Sequence, residues 1–217
     1  MKLSEAVRGV SGTLAADGEF SCIAFATEQE QSQFLTFLEK EKFLPALDNS
    51  KISCVLTTSA LAEKIPPHIK GVFLCDRPKA ALFEIHNRLA RHPDYVGASA
   101  ATVVGEGCSI SPLAAIDCEN VVIGDRVTIE PFVVIKGRVI IGNDVTIRSG
   151  AVIGCKGFSF SKDAQGQNVS VEDTARIIIE DHVEIFEQVA ISTGIFPWEE
   201  TRIGENTKVD AQCHIGH

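Results

Sequence analysis

From residue 104 onward, aliphatic residues recur every six positions, a period that neither an α-helix nor an ordinary alternating β-strand produces. After a slip of one residue near its start, the main series is Val104, Ile110, Ile116, Ile123, Ile129, Ile135, Ile141, Ile147, Ile153, Ile179, Ile185, Ile191, Ile203, Val209 and Ile215. A second series, two residues earlier, is Val121, Val127, Val133, Val139, Val145, Ala151, Ile177, Val183, Val189 and Ile195. A side chain that returns every six residues points the same way on each successive short strand. Three such strands close one coil of a solenoid.

This two-track repeat predicts a left-handed parallel β-helix of the hexapeptide-repeat type. Eighteen residues make one coil, so the chain from 104 onward contains about five coils. Glycines follow inward-facing isoleucines at Gly124, Gly142, Gly154 and Gly204. We expect each of these glycines to turn a corner with a positive φ. The alternative is an ordinary β-sandwich whose spacing is accidental.

The repeat lapses between Gly154 and Arg176, in a polar stretch that contains glycine and then returns to the hexad register at Ile177. We expect a loop insertion over 154–176, and long loops on rigid scaffolds often carry function. Phe158 and Phe160 lie in this loop. They either line a ligand groove or anchor the loop, and the sequence leaves both possibilities open.

The first hundred residues do not show the repeat. The stretches "KISCVLTT" and "GVFLCD" read as buried strands, "PKAALFEIHNRLARH" has helical apolar spacing, and "QFLTFLEKEKFLPAL" looks helical toward its end. We therefore expect an α/β N-terminal domain over 1–97, followed by a left-handed parallel β-helix over 98–217. The boundary falls where Pro, Gly and small residues precede the first hexads.

Charge and cysteine usage exclude several classes. The formal net charge of −9 and pI near 5.2 disfavour a nucleic-acid binder, which needs clustered Lys and Arg. The seven cysteines form no CxxC pair, which suits reduced, mostly buried thiols rather than disulfides. The chain has no signal-peptide core and no run of about 18 apolar residues. We expect a soluble cytoplasmic protein without an integral membrane segment.

Three stretches resemble the UDP-3-O-(3-hydroxyacyl)glucosamine N-acyltransferase family of lipid A biosynthesis, from about Gln33 to His217. "LTFLEKEKFLPALDNSKISCVLTT" is similar to that family's uridine-binding domain. "GAVIGCKGFSF" is similar to its GAVIGxxGFxF stretch, and "KVDAQCHIGH" resembles the segment that ends in the catalytic histidine. The resemblance implies an acyltransferase whose N-terminal domain binds the uridine of a UDP-sugar.

The resemblance also implies catalytic roles at the last residues. N-acyl transfer needs a base for the amine proton and a donor for the oxyanion that forms on the carbonyl. His217 matches the family's base, Asp210 would orient its imidazole or only solvate a turn, and Gly216 could supply an oxyanion amide. His214 is expected to form a groove wall rather than to act as a base.

Phe37 and Phe43 match the aromatic pair expected to stack on the uracil, with Lys40 between them. Phe43 stands where the family often has Tyr, and Lys40 where it often has Asn. Ala211 replaces a family Asn, and "STG" at 192–194 stands where the family tends to have "DRG". These differences affect substrate specificity more than the fold.

The resemblance implies an acyl donor carried on the phosphopantetheine of acyl carrier protein, with no cofactor or metal held by the chain, and a homotrimer. Because that carrier is acidic, basic side chains on the outer corners are candidate docking charges, although solvation of the solenoid explains any one of them equally well. They are Arg126, Arg138, Arg148, Arg202 and Lys208.

Three alternatives remain open. "HIGH" equally resembles the "HIAH" of sister O-acyltransferases that act on UDP-N-acetylglucosamine. Zinc carbonic anhydrases share the β-helix, and His182, His214 and His217 are available, although they do not lie a whole number of coils apart. The third is a trimeric scaffold without activity. Because the family continues beyond its catalytic histidine, we also expect the chain to be truncated and catalytically incomplete.

Overall fold

The computed structural model describes residues 1–163 and 165–217. These residues form two compact units. One comprises Met1–Tyr95 and Ser159–Glu172, and the other comprises Val96–Phe158 and Asp173–His217. The first division therefore falls close to residue 97, and the inserted segment is shared between the units.

The N-terminal region contains a five-stranded sheet with one long helix packed against it. Its elements in chain order are α1 (Leu3–Ala6), β1 (Thr13–Ala16), β2 (Cys22–Ile23), β3 (Phe34–Leu38), a 3₁₀ helix (Glu41–Asp48), β4 (Ile52–Thr57), a 3₁₀ helix (Ser59–Lys64), β5 (Gly71–Leu74), α2 (Pro78–Leu89) and α3 (Pro93–Val96). The strand order is β1-β5-β4-β3-β2, with β1 antiparallel and the other pairs parallel. Helix α2 packs on β3 and β4, and its Leu82 and Ile85 are fully buried.

The strands expected in "KISCVLTT" and "GVFLCD" are present, as is the helix that begins at Pro78. The stretch before them is helical toward its end, as expected, over Glu41–Asp48. This helix has the tighter 3₁₀ form with Pro45 inside, and the first part of the stretch is strand β3. Proline has no N–H to donate, so it favours short helical pieces over a continuous α-helix.

The second region consists of short parallel strands joined by corners. The strands are β6 (Val103–Val104), β7 (Ser109–Ile110), β8 (Ala115–Ile116), β9 (Val121–Ile123), β10 (Thr128–Ile129), β11 (Val134–Ile135), β12 (Arg138–Ile141), β13 (Thr146–Ile147), β14 (Val152–Cys155), the hairpin strands β15 (Phe160–Lys162) and β16 (Asn168–Ser170), then β17 (Arg176–Ile179), β18 (Glu184–Ile185), β19 (Ala190–Ser192), β20 (Glu200–Ile203), β21 (Lys208–Val209) and β22 (His214–Ile215). Apart from the hairpin, they form three five-stranded parallel sheets, ordered β20-β17-β12-β9-β6, β21-β18-β13-β10-β7 and β22-β19-β14-β11-β8. Each coil gives one strand to each sheet, so there are five coils. The hexapeptide repeat and these stacked sheets fit a left-handed parallel β-helix.

The two aliphatic tracks fill the interior of this unit. Val127, Ile135, Val145 and Ile185 are almost completely buried, as are most other members of both tracks. Each fully buried Val or Ile contributes about 1.5–3 kcal/mol relative to an exposed one. The register survives the insertion, because β12 pairs directly with β17.

The tracks depart from the prediction near Ile195. The chain leaves the strand path after Ser192 and returns at Glu200, so Ile195 is buried outside any strand. Thr201 takes the track position opposite Ile177 and is 5% exposed. The prediction that Ile195 lies on a strand was therefore wrong, because the six-residue period does not continue through this segment.

The corners also differ from the prediction. Of the four glycines expected at positive φ, only Gly154 has one, at 87°. The corner residue with a positive φ usually lies just before a second-track position, and it is rarely glycine. The non-glycine residues of this kind are Asn120, Arg126, Phe132, Asp144, His182 and Gln188, and Asn206 and Gln212 continue the same spacing beyond the end of that track.

Gly124 and Gly142 allow neighbouring coils to approach each other closely. The side-chain oxygens of Asp125, Asn143 and Asp181 each accept a backbone N–H from the preceding coil, at 2.8, 2.9 and 2.7 Å. A Cβ on Gly142 would collide with the Asp181 carboxylate and lie 2.9 Å from its backbone nitrogen. Glycine is required there because the neighbouring coil leaves no room for a methyl group.

Gly142→Ala should destabilise the β-helix unit by about 1–3 kcal/mol, because the new methyl group overpacks the corner. Gly204→Ala is the matched control, since Gly204 follows the next-but-one isoleucine of the same sheet and its Cβ would meet nothing closer than 4.0 Å. The measurement is the free energy of unfolding in urea. Equal effects of the two substitutions would contradict the explanation.

Helix α2 holds the inserted hairpin within the N-terminal unit. Arg77 donates to the carbonyls of Asp163 and Lys162, and Asn87 Nδ2 donates to the Ser170 carbonyl at 2.9 Å. His86 Nε2 lies 2.8 Å from the Glu172 carbonyl oxygen. The expected loop at 154–176 therefore contains an antiparallel hairpin that packs on α2 rather than standing free.

His86 is fully buried, and its Nδ1 lies 3.0 Å from the Tyr95 hydroxyl. These contacts suit a neutral ring that donates from Nε2 and accepts from Tyr95. Burial lowers the pKa of His86 below its ordinary value. As the pH falls through about 6.5, His86 therefore binds a proton more readily in the unfolded chain than in the folded chain.

Stability contributed by neutral His86 should be complete above about pH 6.5 and should decrease as the pH falls below that value. His86→Gln removes this titration, so the stability difference between the wild-type chain and the variant should shrink from pH 7.5 to about pH 5.5. Urea unfolding at several pH values measures this difference. A difference that is constant with pH would contradict the assignment.

Candidate functional site

Three of the predicted site residues, His214, Gly216 and His217, lie on the last described coil or directly after its last strand. His214 lies on β22 opposite Ala190 of β19, and Gly216 and His217 follow the strand. All three are exposed, and a Cβ on Gly216 would meet no atom within 4 Å. An exposed imidazole beside an unobstructed backbone is suited to proton transfer with a bound substrate.

Asp210 occupies the corner before β22. It is exposed, and its Oδ1 accepts the N–H of Ala211 at 2.8 Å. Asp210 therefore hydrogen-bonds within its turn, which is one of the two roles that the sequence left open for it. Across residues 1–163 and 165–217 no hydrogen bond joins Asp210 to His217, so the orienting role stays a prediction.

Sequence reasoning missed the polar partner of His214, Ser192, and the further contact of Ser192 with Cys155. His214 Nε2 lies 2.9 Å from Ser192 Oγ, and Ser192 Oγ lies 3.3 Å from Cys155 Sγ. Cys155, Ser192 and His214 belong to β14, β19 and β22, which are consecutive strands of one sheet. Ser192 is 2% exposed, and the Thr201 hydroxyl donates to its carbonyl at 2.9 Å. The unusual "STG" stretch was the only sequence signal for Ser192.

Most of the predicted docking cations are paired. Arg126 donates to both carboxylate oxygens of Asp144 at 2.7 Å, and these hydrogen bonds lower the pKa of that carboxyl. The remaining pairs are Arg148 with Glu130 and Glu184, Arg202 with Glu180 and Glu200, and Lys208 with the His182 carbonyl. The carboxylate partners of the three arginines reduce the positive charge available to an acidic partner, and this favours the solvating role.

The predicted uracil-stacking residues lie in different local surroundings. Phe37 is half-buried, and its ring meets Phe25 edge to face at 6.4 Å. Phe43 is 55% exposed, with the Lys42 ammonium 4.8 Å from its ring centroid. Lys40 is also exposed, and its carbonyl accepts the Phe43 N–H at 3.0 Å. Lys40 and Phe43 therefore share one turn.

Phe25, which the sequence did not single out, connects Phe37 to helix α2. Its ring meets both Phe37 and Phe83 edge to face at 6.4 Å. Edge-to-face contacts of this kind add about 0.5–1.5 kcal/mol beyond simple burial. Phe37 is therefore held in place on one side and half-exposed overall.

The N-terminal unit contains a cavity of about 380 Å³ between the β5–α2 connection, helix α2 and the hairpin. Its walls are Val10, Ser11, Cys75, Asp76, Arg77, Ala80, Ala81, Phe83, Glu84, Asn87, Ser161, Lys162, Asp163 and Val169. Burial raises the pKa of Cys75 to about 11, so its thiol stays protonated. Phe37, Lys40 and Phe43 are not among the lining residues.

The two phenylalanines of the insertion fall in different units. Phe158 is 94% exposed and belongs to the β-helix unit, whereas Phe160 is 46% exposed on β15 and belongs to the N-terminal unit. A substrate role for either residue stays a prediction.

The zinc alternative would need histidines from neighbouring subunits, which a single chain does not test. In the part of the chain that the structure describes, no group of three or more His, Cys, Asp or Glu side chains is placed to hold a metal ion. His214 Nε2 is instead occupied by Ser192. None of the helices formed by the described residues is long and apolar enough to span a membrane.

Comparison with known proteins identifies the family of the chain. Residues 120–155 match the family described as bacterial transferase hexapeptide (six repeats). The UDP-3-O-acylglucosamine N-acyltransferase of Coxiella burnetii is 28% identical over 240 residues, covering 99% of this chain and 69% of that protein. The enzyme of the same name from Helicobacter pylori is 26% identical over 236 residues, covering 100% of this chain and 69% of that protein.

The corresponding protein of Helicobacter hepaticus is 31% identical over 232 residues, covering 96% of this chain and 67% of the relative. The match thus extends over both units and over about two thirds of each of these relatives. On this evidence the chain belongs to the UDP-3-O-acylglucosamine N-acyltransferase family of acyltransferase enzymes.

Proposed function

We propose that this chain transfers an acyl group from the phosphopantetheine thioester of acyl carrier protein to the amine of a UDP-3-O-acylglucosamine, as a step of lipid A biosynthesis. The observation that carries the proposal is the exposed His217 imidazole next to Gly216 on the last coil. The names of the relatives supply the substrate class. They favour N-acyl transfer over the O-acyl alternative.

In the proposed reaction the sugar amine attacks the thioester carbonyl, and His217 takes the proton that the amine releases. The imidazolium then returns the proton to the departing thiolate as the C–S bond breaks. General acid–base catalysis of this kind contributes about 10²- to 10⁴-fold. A backbone N–H at Gly216 is our candidate donor to the oxyanion, a contribution of about 10²- to 10³-fold where it has been measured.

Asp210 is proposed to orient the His217 imidazole. Its Oδ1 already accepts the Ala211 N–H, which fixes the carboxylate at the corner. The second oxygen, Oδ2, remains to accept a ring N–H. A fixed carboxylate of this type would favour the imidazolium that forms during proton transfer.

The N-terminal unit is proposed to bind the uridine. Phe43 offers an exposed ring face on a short 3₁₀ turn, and Lys40 on the same turn is an exposed donor. Phe37 is the second aromatic and is held by Phe25. Base–aromatic stacking tolerates a change from Tyr to Phe because the ring face is unchanged.

The proposed assembly is a homotrimer. Val103, Val122 and Ile140 are 58%, 44% and 39% exposed and lie in register on β6, β9 and β12. This apolar stripe lies on the outer face of three neighbouring strands of one sheet, and exposed apolar patches mark interaction surfaces. A second copy of the chain would cover it. The proposed location is the cytoplasm, where all seven free cysteines would stay reduced.

The first test measures acyl transfer with acyl carrier protein as the donor and UDP-3-O-acylglucosamine as the acceptor, detected by mass spectrometry of the N-acylated product. Robust turnover by this chain would contradict the expectation that it is catalytically incomplete. His217→Ala should lower kcat by about 10²- to 10⁴-fold, because it removes the base. His92→Ala is the control, since His92 is exposed and lies outside the final coil. Wild-type turnover by the His217 variant would overturn the assignment of the base, and turnover of UDP-N-acetylglucosamine alone would overturn the proposed substrate.

The second test addresses nucleotide binding. Phe43→Ala should weaken UDP affinity by about 1–3 kcal/mol through the loss of one stacking contact. Phe43→Tyr retains the ring and should bind UDP like the wild-type chain. Isothermal titration calorimetry measures both constants. If Phe43→Ala binds UDP normally, Phe43 is not part of the uridine site.

A further inference from the structure

Cys155, Ser192 and His214 form a continuous hydrogen-bonded series across three consecutive strands of one sheet. Cys155 pairs directly with Ser192, and His214 pairs with Ala190, which lies on the same strand face as Ser192. The two distances, 3.3 Å from Sγ to Oγ and 2.9 Å from Oγ to Nε2, lie within hydrogen-bonding range. Ser192 Oγ is therefore the central atom of the series.

A hydroxyl has one proton, so Ser192 can donate to only one of its two neighbours. A neutral imidazole nitrogen is a good acceptor, whereas a cysteine sulfur is a weak one. The stronger arrangement has the Cys155 thiol donating to Ser192 and the Ser192 hydroxyl donating to His214 Nε2. In the reverse arrangement the imidazole N–H would donate to Ser192 and the hydroxyl would donate to sulfur. Each arrangement contains one weak hydrogen bond with sulfur, so the other bond decides, and a hydroxyl donating to a neutral imidazole nitrogen is stronger than an imidazole N–H donating to a hydroxyl oxygen.

Ser192 cannot itself be the group that meets a substrate. It is 2% exposed, whereas His214 is exposed. Its backbone carbonyl accepts from the Thr201 hydroxyl, which helps hold the residue in place. Any effect of Ser192 on an outside molecule must pass through the His214 ring.

We infer that Ser192 is a positioning residue that holds His214 as the neutral Nδ1–H tautomer, so that the exposed ring offers a hydrogen-bond donor to an oxygen atom of the substrate. When Nε2 accepts a proton from Ser192, the ring proton must reside on Nδ1. Within residues 1–163 and 165–217, Nδ1 has no hydrogen-bond partner. The ligand group that this nitrogen recognises is an acceptor oxygen, such as a carbonyl or a phosphate.

This inference rests on the proposed function and divides the work of the two terminal histidines. The lone pair of His214 is already used by Ser192, so His214 cannot take the amine proton without breaking that hydrogen bond. His217 has no such partner in the described structure and remains the base. His214 would instead orient the substrate.

The tautomer can be measured without any substrate. The chain is labelled with ¹⁵N-histidine, and two-bond ¹H–¹⁵N correlations are recorded near pH 8, with His214 assigned by the signals that disappear in His214→Gln. We expect the His214 Nδ1 signal in the protonated range and the Nε2 signal in the acceptor range. An Nε2–H tautomer in the wild-type chain would overturn the inference, whether or not the chain transfers acyl groups.

Two variants isolate the role of Ser192. Ser192→Ala should release His214 to the Nε2–H form that free histidine prefers, whereas Cys155→Ala should leave the Nδ1–H form in place because the hydroxyl remains. If Ser192→Ala keeps the Nδ1–H form, Ser192 does not set the tautomer. In the transfer assay Ser192→Ala should raise KM about tenfold with a smaller effect on kcat, whereas loss of kcat alone would contradict a substrate-orienting role.

Discussion

Hydrogen bonds between successive coils determine where nearly every side chain of the β-helix unit lies. The Thr128 N–H donates to Val145 at 2.8 Å, and the Thr146 N–H donates to Val183 at 3.0 Å, so each strand is held at one register against the next. Parallel strands are about 4.8 Å apart. At that spacing a residue meets the residues of the same phase in the coils on either side. The aliphatic tracks, the Asp125–Asn143–Asp181 series and the Cys155–Ser192–His214 series all depend on this register.

Much of this unit could be predicted because its core follows a simple period. The two tracks, the five coils and the return of register at Ile177 are visible in the residue types alone. The corners were not predictable in the same way. Whether Gly142 turns the chain or makes room depends on the position of Asp181 in the next coil, and a single stretch of sequence contains no distance between coils.

Contacts between distant parts of the chain were equally unpredictable in the N-terminal unit and at the site. The helix from Pro78 to Leu89 has clear apolar spacing, but the partners that bind it to the hairpin are mostly backbone carbonyls, which every residue carries. His214 and His217 could be singled out from the chain because they are chemically distinctive. Ser192 and Cys155 could not, since the contacts that connect them to His214 span 22 and 37 residues and cross two interruptions of the repeat.

The hairpin has a consequence for how such a chain can change over evolutionary time. It leaves the β-helix after β14 and returns before β17, yet β12 and β17 still pair as if no residues intervened. Strand β14 likewise still pairs with β19. Residues can therefore be added, lost or exchanged within the hairpin without moving the aliphatic core or the sheet that carries His214. The contacts of the hairpin with helix α2 can diversify while the frame around the terminal histidines stays constant.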